Sequence, residues 1–412
     1  MDTHATGGGT LDEALERLHH SGPERDGWLS NHAPMAVEAL VRHGHAPHVH
    51  RWLDGYRDKL EEMPAPSSPV TDDDWREALG DPRRLADWIG HFTRALDTRP
   101  WREVLAEWWP RLLPGISAAA THGVIRVGHA VRTLLDDEQR AAAEPVGRPS
   151  GGGRSAGPSS PGPGPGPAPA SPRVAELAHA LGYWAARHSV LPRLRTLPAE
   201  DSYDAGLAAV PRIGDQSGGI RERLARITAL PARTELRTGT GTRTGTRTGP
   251  EDAEDASPQP AEAQRALTEL VRAATRRYAT HAHGSPVMLV HSATAPNAVL
   301  RTLPALPERL WLPSLDAAWS AATAVTAAYT PAAAAPRRRR PPPGSLPRRS
   351  SSGPRHTATN TSSSSRTRPW TWRPGIAPRM RPGTLRHRMR HTHAVAMTAP
   401  CPPSPPPCAP SN

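Results

Sequence analysis

Cysteine is nearly missing: the chain has two, Cys401 and Cys408, both close to its end. Residues 1–335 therefore have no disulfide framework, no thiolate metal site and no thiol nucleophile. Lysine occurs once, at Lys59, and phenylalanine once, at Phe92. Arginine carries almost all the positive charge, the mark of a GC-rich gene. No run approaches the ~18 apolar residues that would span a membrane. The first residues are polar, with no apolar segment of the kind that begins a secreted chain. These absences predict a soluble, cytoplasmic protein that does not enter a membrane.

Acidic residues are missing from one region only. Residues 336–412 hold 15 Arg and no Asp or Glu. The whole chain has 51 Lys and Arg against 39 Asp and Glu, a net charge of +12. Residues 1–335 are therefore mildly acidic, at −3. The basic balance belongs to the tail, and it argues against nucleic acid as the partner of residues 1–335.

Four stretches are low in complexity: Pro145 to Pro172, Thr238 to Pro250, Glu251 to Glu262 and the Arg/Pro/Ser-rich tail. None buries enough apolar surface to offset an ordering entropy of roughly 1–2 kcal/mol per residue. The expected organisation is one helical domain over 1–335, flexible insertions at 145–172 and 231–262, and a disordered tail over 336–412.

The remainder is helical in pattern, and the fold class is all-α. Leu11, Ala14, Leu15 and Leu18 form one helix stripe. Asn31 can cap a helix running towards Gly44. Further helices are expected over Val49–Leu60, Arg84–Leu96, Trp101–Leu113, Thr121–Leu135, Val174–His188, Ile220–Leu230, Ala261–Tyr278, Val287–Ala295 and Leu315–Tyr329. Most of the 12 Trp fall inside these segments, as core residues or as the walls of a pocket for a flat aromatic molecule.

Three histidine motifs carry the chemistry. His32, in Asn31-His32-Ala33-Pro34-Met35, sits at a helix start, where Pro34 is tolerated. His122 and His129 lie seven residues apart on one helix face, hence ~10 Å apart along the axis. At most one of them ligates a given metal. His291 lies in an apolar segment that Pro296 is expected to end or kink. Each histidine also fits a simpler role as a capping or core residue. The cluster His43, His45, His48 and His50 reads as a turn. There is no Walker A loop, no Gly-x-Ser-x-Gly and no His-Glu-x-x-His, and the glycines near Gly239 lack dinucleotide-loop spacing.

Taken in order, these motifs resemble the questin oxidase-like family. They are Asn31 to Met35 with Glu38, then Trp52 and Tyr56, Thr121 to Arg132, Leu181 to Ala186, His291 to Pro296 and Trp319. That family is all-helical and includes oxidoreductases that cleave an anthraquinone ring with molecular oxygen. Some members are NADPH-dependent oxidases of the Baeyer–Villiger type. Related ring-cleaving members use a non-haem iron held by histidines and a carboxylated lysine. The resemblance makes His32, His291 and one of His122 and His129, with His122 preferred, the expected iron ligands. It makes Arg126 a residue for a phenolate or peroxide. It implies a small aromatic substrate held among Trp side chains.

The resemblance fails after Tyr329. Family members continue with a helix bearing Gly-Asp-Glu-His, two hydrophobic residues and Lys. The codons of Thr357 to Trp372, read one frame over, permit that motif. A frameshift between Tyr329 and Thr357 is therefore expected, and the nucleotide sequence tests it. Two other readings stay open: an inactive homologue, and a non-catalytic binder of acidic partners acting through the tail.

Overall fold

Three helix starts build the site: those of the helices that begin at Ala33, His122 and His291. The structure is a computed structural model that describes residues 3–26, 29–143, 171–235 and 260–335. The tail, with the expected frameshift, and most of both insertions lie outside the described residues. Fourteen α-helices run in chain order: α1 Thr3–His19, α2 Ala33–Arg42, α3 Val49–Asp54, α4 Trp75–Ala78, α5 Leu85–Thr98, α6 Trp101–Leu112, α7 His122–Ala143, α8 Pro172–Ala186, α9 Tyr203–Ala209, α10 Ile220–Ala225, α11 Pro260–His281, α12 Pro286–Leu289, α13 His291–Thr302 and α14 Trp311–Tyr329. The strands are minimal. β1 Glu24–Arg25 pairs antiparallel with β2 Leu29–Ser30, and β3 Arg195–Leu197 pairs parallel with β4 Ala229–Pro231. The all-α expectation holds.

Asn31 does what its position predicts. Its Oδ1 accepts from the Ala33 N–H at 2.9 Å, and its Nδ2 donates to the Gly22 carbonyl. That satisfies one of the orphan donors at the start of α2 and ties the β1–β2 hairpin to it. Ser171 does the same for α8, accepting from Arg173 N–H, and Pro260 opens α11. Both insertions are therefore shorter than their composition implied.

Helices α7 and α8 lie at the centre. α7 packs on α8, α13 and α2, while α8 also packs on α5 and α1, and α13 on α11 and α14. The core is aromatic as well as aliphatic: Trp88, Trp108, Trp109 and Trp184 are among its largest fully buried side chains. Trp109 donates to Ser314 Oγ at 2.8 Å and Trp88 to the Ala78 carbonyl at 3.0 Å, so their N–H groups are not stranded.

One close approach sets the spacing of α7 and α13. A Cβ added at Gly128 would lie 2.7 Å from Ala298 Cβ and 2.8 Å from Ala298 Cα. Backbone cannot yield as a flexible side chain does. Gly128→Ala is expected to push the helices apart at a cost of about 1–3 kcal/mol. Thermal melting checks it; an unchanged midpoint would contradict the packing.

Three expectations fail locally. Val49–Leu60 breaks at Gly55 into a 3₁₀ turn over Arg57–Lys59. Ile220–Leu230 stops at Ala225, because Ala229–Pro231 pairs with β3 instead. Val287–Ala295 breaks at Val290 into α12 and α13, and Pro296, expected to end or kink that helix, lies inside α13 without ending it. There it forgoes one backbone hydrogen bond, and Ala295, Ala298 and Val299 keep the turn buried in the core.

Candidate active site

His32, His122 and His291 meet. His32 is the residue before α2, His122 the first of α7, and His291 the first of α13. His122 Nε2 lies 2.9 Å from His32 Nε2 and 3.1 Å from His291 Nε2. The rings meet edge to face, with centroids 4.7 and 4.6 Å apart.

Their outer contacts decide the tautomers. His122 Nδ1–H donates to the Ala119 carbonyl at 2.7 Å. His291 Nδ1–H donates to the Met288 carbonyl at 3.0 Å. A carbonyl accepts only, so both Nδ1 atoms carry the proton and both Nε2 atoms present lone pairs. His32 is held on the backbone of Ser30.

No proton fills the gap. Burial is the first cause that lowers all three basicities: His32 falls below its ordinary value, His291 to about 4 and His122 well below 6.5. The mutual proximity of the rings adds to the effect on His122 and His291. Starting α7 and α13 at a positive helix end also disfavours imidazolium. Two lone pairs therefore face each other across 3.1 Å with no hydrogen to share.

That arrangement fits a cation. Two nitrogens at ~2.1 Å from one metal, bonded at right angles, stand about 3.0 Å apart. Metal-ligating histidines commonly donate the other ring N–H to a carbonyl, as His122 and His291 do here. Three imidazoles with open positions suit a first-row metal such as iron. Among the described residues, however, no group of three or more His, Cys, Asp or Glu side chains is placed so that it could hold a metal ion. The trio is open, with His122 central and no carboxylate beside it.

The wall holding His122 is strained. Ala119, Ala120 and Thr121 have φ of 47°, 54° and 66°. Three consecutive side-chain-bearing residues in the left-handed region cost about 1–2 kcal/mol each. The turn aims the Ala119 carbonyl at His122 and delivers the chain into α7. Thr121 Oγ1 and Ser117 Oγ flank it, both buried and without a hydrogen-bond partner.

Two expected site residues lie elsewhere. Arg126 is spent on Glu176 of α8: its Nε donates to Oε1 at 2.6 Å and its Nη2 to Oε2 at 2.8 Å. Both residues are 4 % exposed, so Arg126 offers no fork to a phenolate or peroxide. His129 joins Glu38, with Nδ1 2.7 Å from Oε2, and Glu38 also accepts from Arg132. Two helical turns separate His129 from the trio. The His43–His50 cluster is largely exposed, and His50 contacts Glu13.

A cavity of about 680 Å³ reaches the turn before α7, with Ala118 and Ala119 in its wall, but none of the three histidines lines it. The rest of the lining includes Pro82, Leu191, Ile220 and Leu224, with Glu24 and Arg187. Among the described residues no tryptophan lines it, and Trp88, Trp108, Trp109 and Trp184 fill the core instead. Glu24 accepts from Arg187 Nη2 and from the Tyr183 hydroxyl at 3.3 Å, and Tyr183 lies 2.7 Å from Ser30 Oγ. Glu24 and Arg187 gave no sequence signal. Tyr183 stood inside the Leu181–Ala186 motif without a role.

The buried histidines predict an acid profile. The unfolded chain protonates near 6.5, while His291 waits until about 4 and buried His179 until about 3. The unfolded state thus binds more protons in between, and stability falls as pH drops from 6.5 towards 4. His291 alone accounts for on the order of 3 kcal/mol. Melting of the metal-free protein between pH 7.5 and 4 checks it; a flat profile from 6.5 to 5 would contradict it.

Residues 29–138, about a quarter of the chain, match the family model described as Questin oxidase-like. The match includes His32, Glu38, His122 and His129 but not His291. No curated protein and no solved structure matches the chain. No helix among the described residues is long and apolar enough to cross a membrane.

Proposed function

We propose that this chain is an oxygen-dependent oxidoreductase that holds a non-haem iron on His32, His122 and His291 and acts on an anthraquinone-like aromatic bound in the cavity that reaches the turn before α7. The observation carrying this reading is the pair of Nε2 lone pairs of His122 and His291, opposed at 3.1 Å. Ferrous iron, when bound, supplies the one-electron chemistry that lets oxygen in its triplet ground state react. The chain's own part is positional. Ala119 and Met288 orient two of the rings through their carbonyls. Ser30 ties His32 to the hairpin that also presents Glu24 to the cavity. The apolar lining takes up an aromatic body and excludes water from it.

Oxygen uptake by iron-loaded protein with a hydroxylated anthraquinone checks the proposal. Uptake that needs both iron and substrate supports it. Uptake that needs NADPH and persists with a strong iron chelator would replace it with the flavin- or nicotinamide-type alternative.

A further inference from the structure

We infer that Arg187 selects the cavity's ligand, favouring an apolar molecule that carries one ionised acidic oxygen, a carboxylate or a phenolate. Calling that ligand the substrate rests on the function proposed above; the recognition itself does not.

The cavity wall is apolar over most of its extent, with Pro82, Leu191, Ile220 and Leu224 among its residues. Such a surface takes an apolar body. At one side stand Arg187 and Glu24. Arg187 is partly buried, with 29 % of its side chain exposed, and Glu24 is more so, at 15 %. A guanidinium has five N–H donors. Among the described residues, only Nη2 of Arg187 makes a side-chain hydrogen bond, to Glu24 Oε2. Its other donors have no hydrogen-bond partner among the described residues, and the residue lines the cavity.

Glu24 is otherwise engaged. Besides Arg187, it accepts from the Tyr183 hydroxyl, which is buried and in contact with Ser30 Oγ. Glu24 thus fixes Arg187 in place and competes with any incoming anion for it. A planar fork with free donors at the edge of an apolar cavity matches a carboxylate or phenolate oxygen. A neutral ligand of the same shape would leave those donors unmet. Arg221 also lines the cavity, but it is exposed, where water competes for its donors.

Binding to the full-length, iron-free protein tests this without any reliance on turnover. The probes are ionised naphthoate against its methyl ester, and ionised hydroxynaphthoquinone against its methyl ether. The ionised member of each pair is expected to bind roughly tenfold more tightly or better, the scale of a charge-assisted hydrogen bond. Arg187→Gln removes that preference and leaves the neutral members unchanged; Arg187→Lys keeps part of it. Glu24→Gln, by removing the competing carboxylate, tightens binding of the ionised members. Preference for only one pair tells carboxylate from phenolate. Equal binding of ionised and neutral members, equal losses in Arg187→Gln, or weaker anion binding in Glu24→Gln would each overturn the inference. Loss of iron binding with the preference intact would instead count only against the proposed function.

Discussion

Replacing His122 with alanine is expected to cut iron affinity by roughly 100-fold or more and to remove oxygen-dependent turnover with it. His122 is the central ring: it alone contacts both other imidazoles, at 2.9 and 3.1 Å. Without it, His32 and His291 are left with no shared neighbour. The fold should tolerate the change. Alanine suits the first turn of α7, and the loss removes an opposed pair of lone pairs as well as one bond to the Ala119 carbonyl. Circular dichroism and melting of the metal-free variant establish that it folds, and metal analysis after anaerobic loading reads the effect. His129→Ala is the matched control. Its ring serves Glu38, so it should change stability and leave iron binding close to wild type. Equal iron content in the two variants would show that the sequence spacing, which admits either histidine, had been resolved the wrong way.

The largest stability effect is expected at Glu176. Burial on its own would raise the pKa of this carboxyl, but the Arg126 guanidinium and its two hydrogen bonds hold it down to about 2. Glu176→Ala would leave Arg126 as a charge that is 4 % exposed with no partner. Breaking a buried pair in this way costs about 3–5 kcal/mol. For a domain of this size that is a fall in Tm on the order of 10 °C. The double replacement Arg126→Met with Glu176→Leu should recover much of the loss, because it removes both charges at once. The pair also has an acid signature. Its contribution is full above about pH 4.5 and is lost as the pH falls towards 2. Melting of the single and double variants at neutral pH checks the prediction. A loss under 1 kcal/mol in the single variant would mean that Arg126 finds other partners.

Much of the scaffold could be read directly from the residues. The stripe of Leu11, Leu15 and Leu18 and the cap at Asn31 are local properties, and local rules found them. The three histidines were named as well, but as what the family resemblance implies; only His32 was read from the sequence as standing at a helix start. What the sequence hid are relationships across the fold. Arg126 lies one turn from His122, which placed it beside the trio. Its partner Glu176 lies on α8, beyond an insertion, so the pair that turns it away has no sequence spacing to betray it. Whether the tryptophans line a pocket was hidden for a related reason: the same composition serves a core or a cavity wall, and only packing separates them. The left-handed turn at Ala119–Thr121 is the least legible feature, since two alanines and a threonine give no sign of positive φ. It is also what holds His122 in place.

The central claim is that three histidine Nε2 atoms share one metal ion. X-ray absorption on the iron-loaded, full-length protein under anaerobic conditions tests it most directly. The account predicts about three imidazole nitrogens at ~2.1 Å from iron, falling by one in a His291→Ala variant. Iron that fails to load, or that loads with a shell unchanged by that substitution, would contradict it.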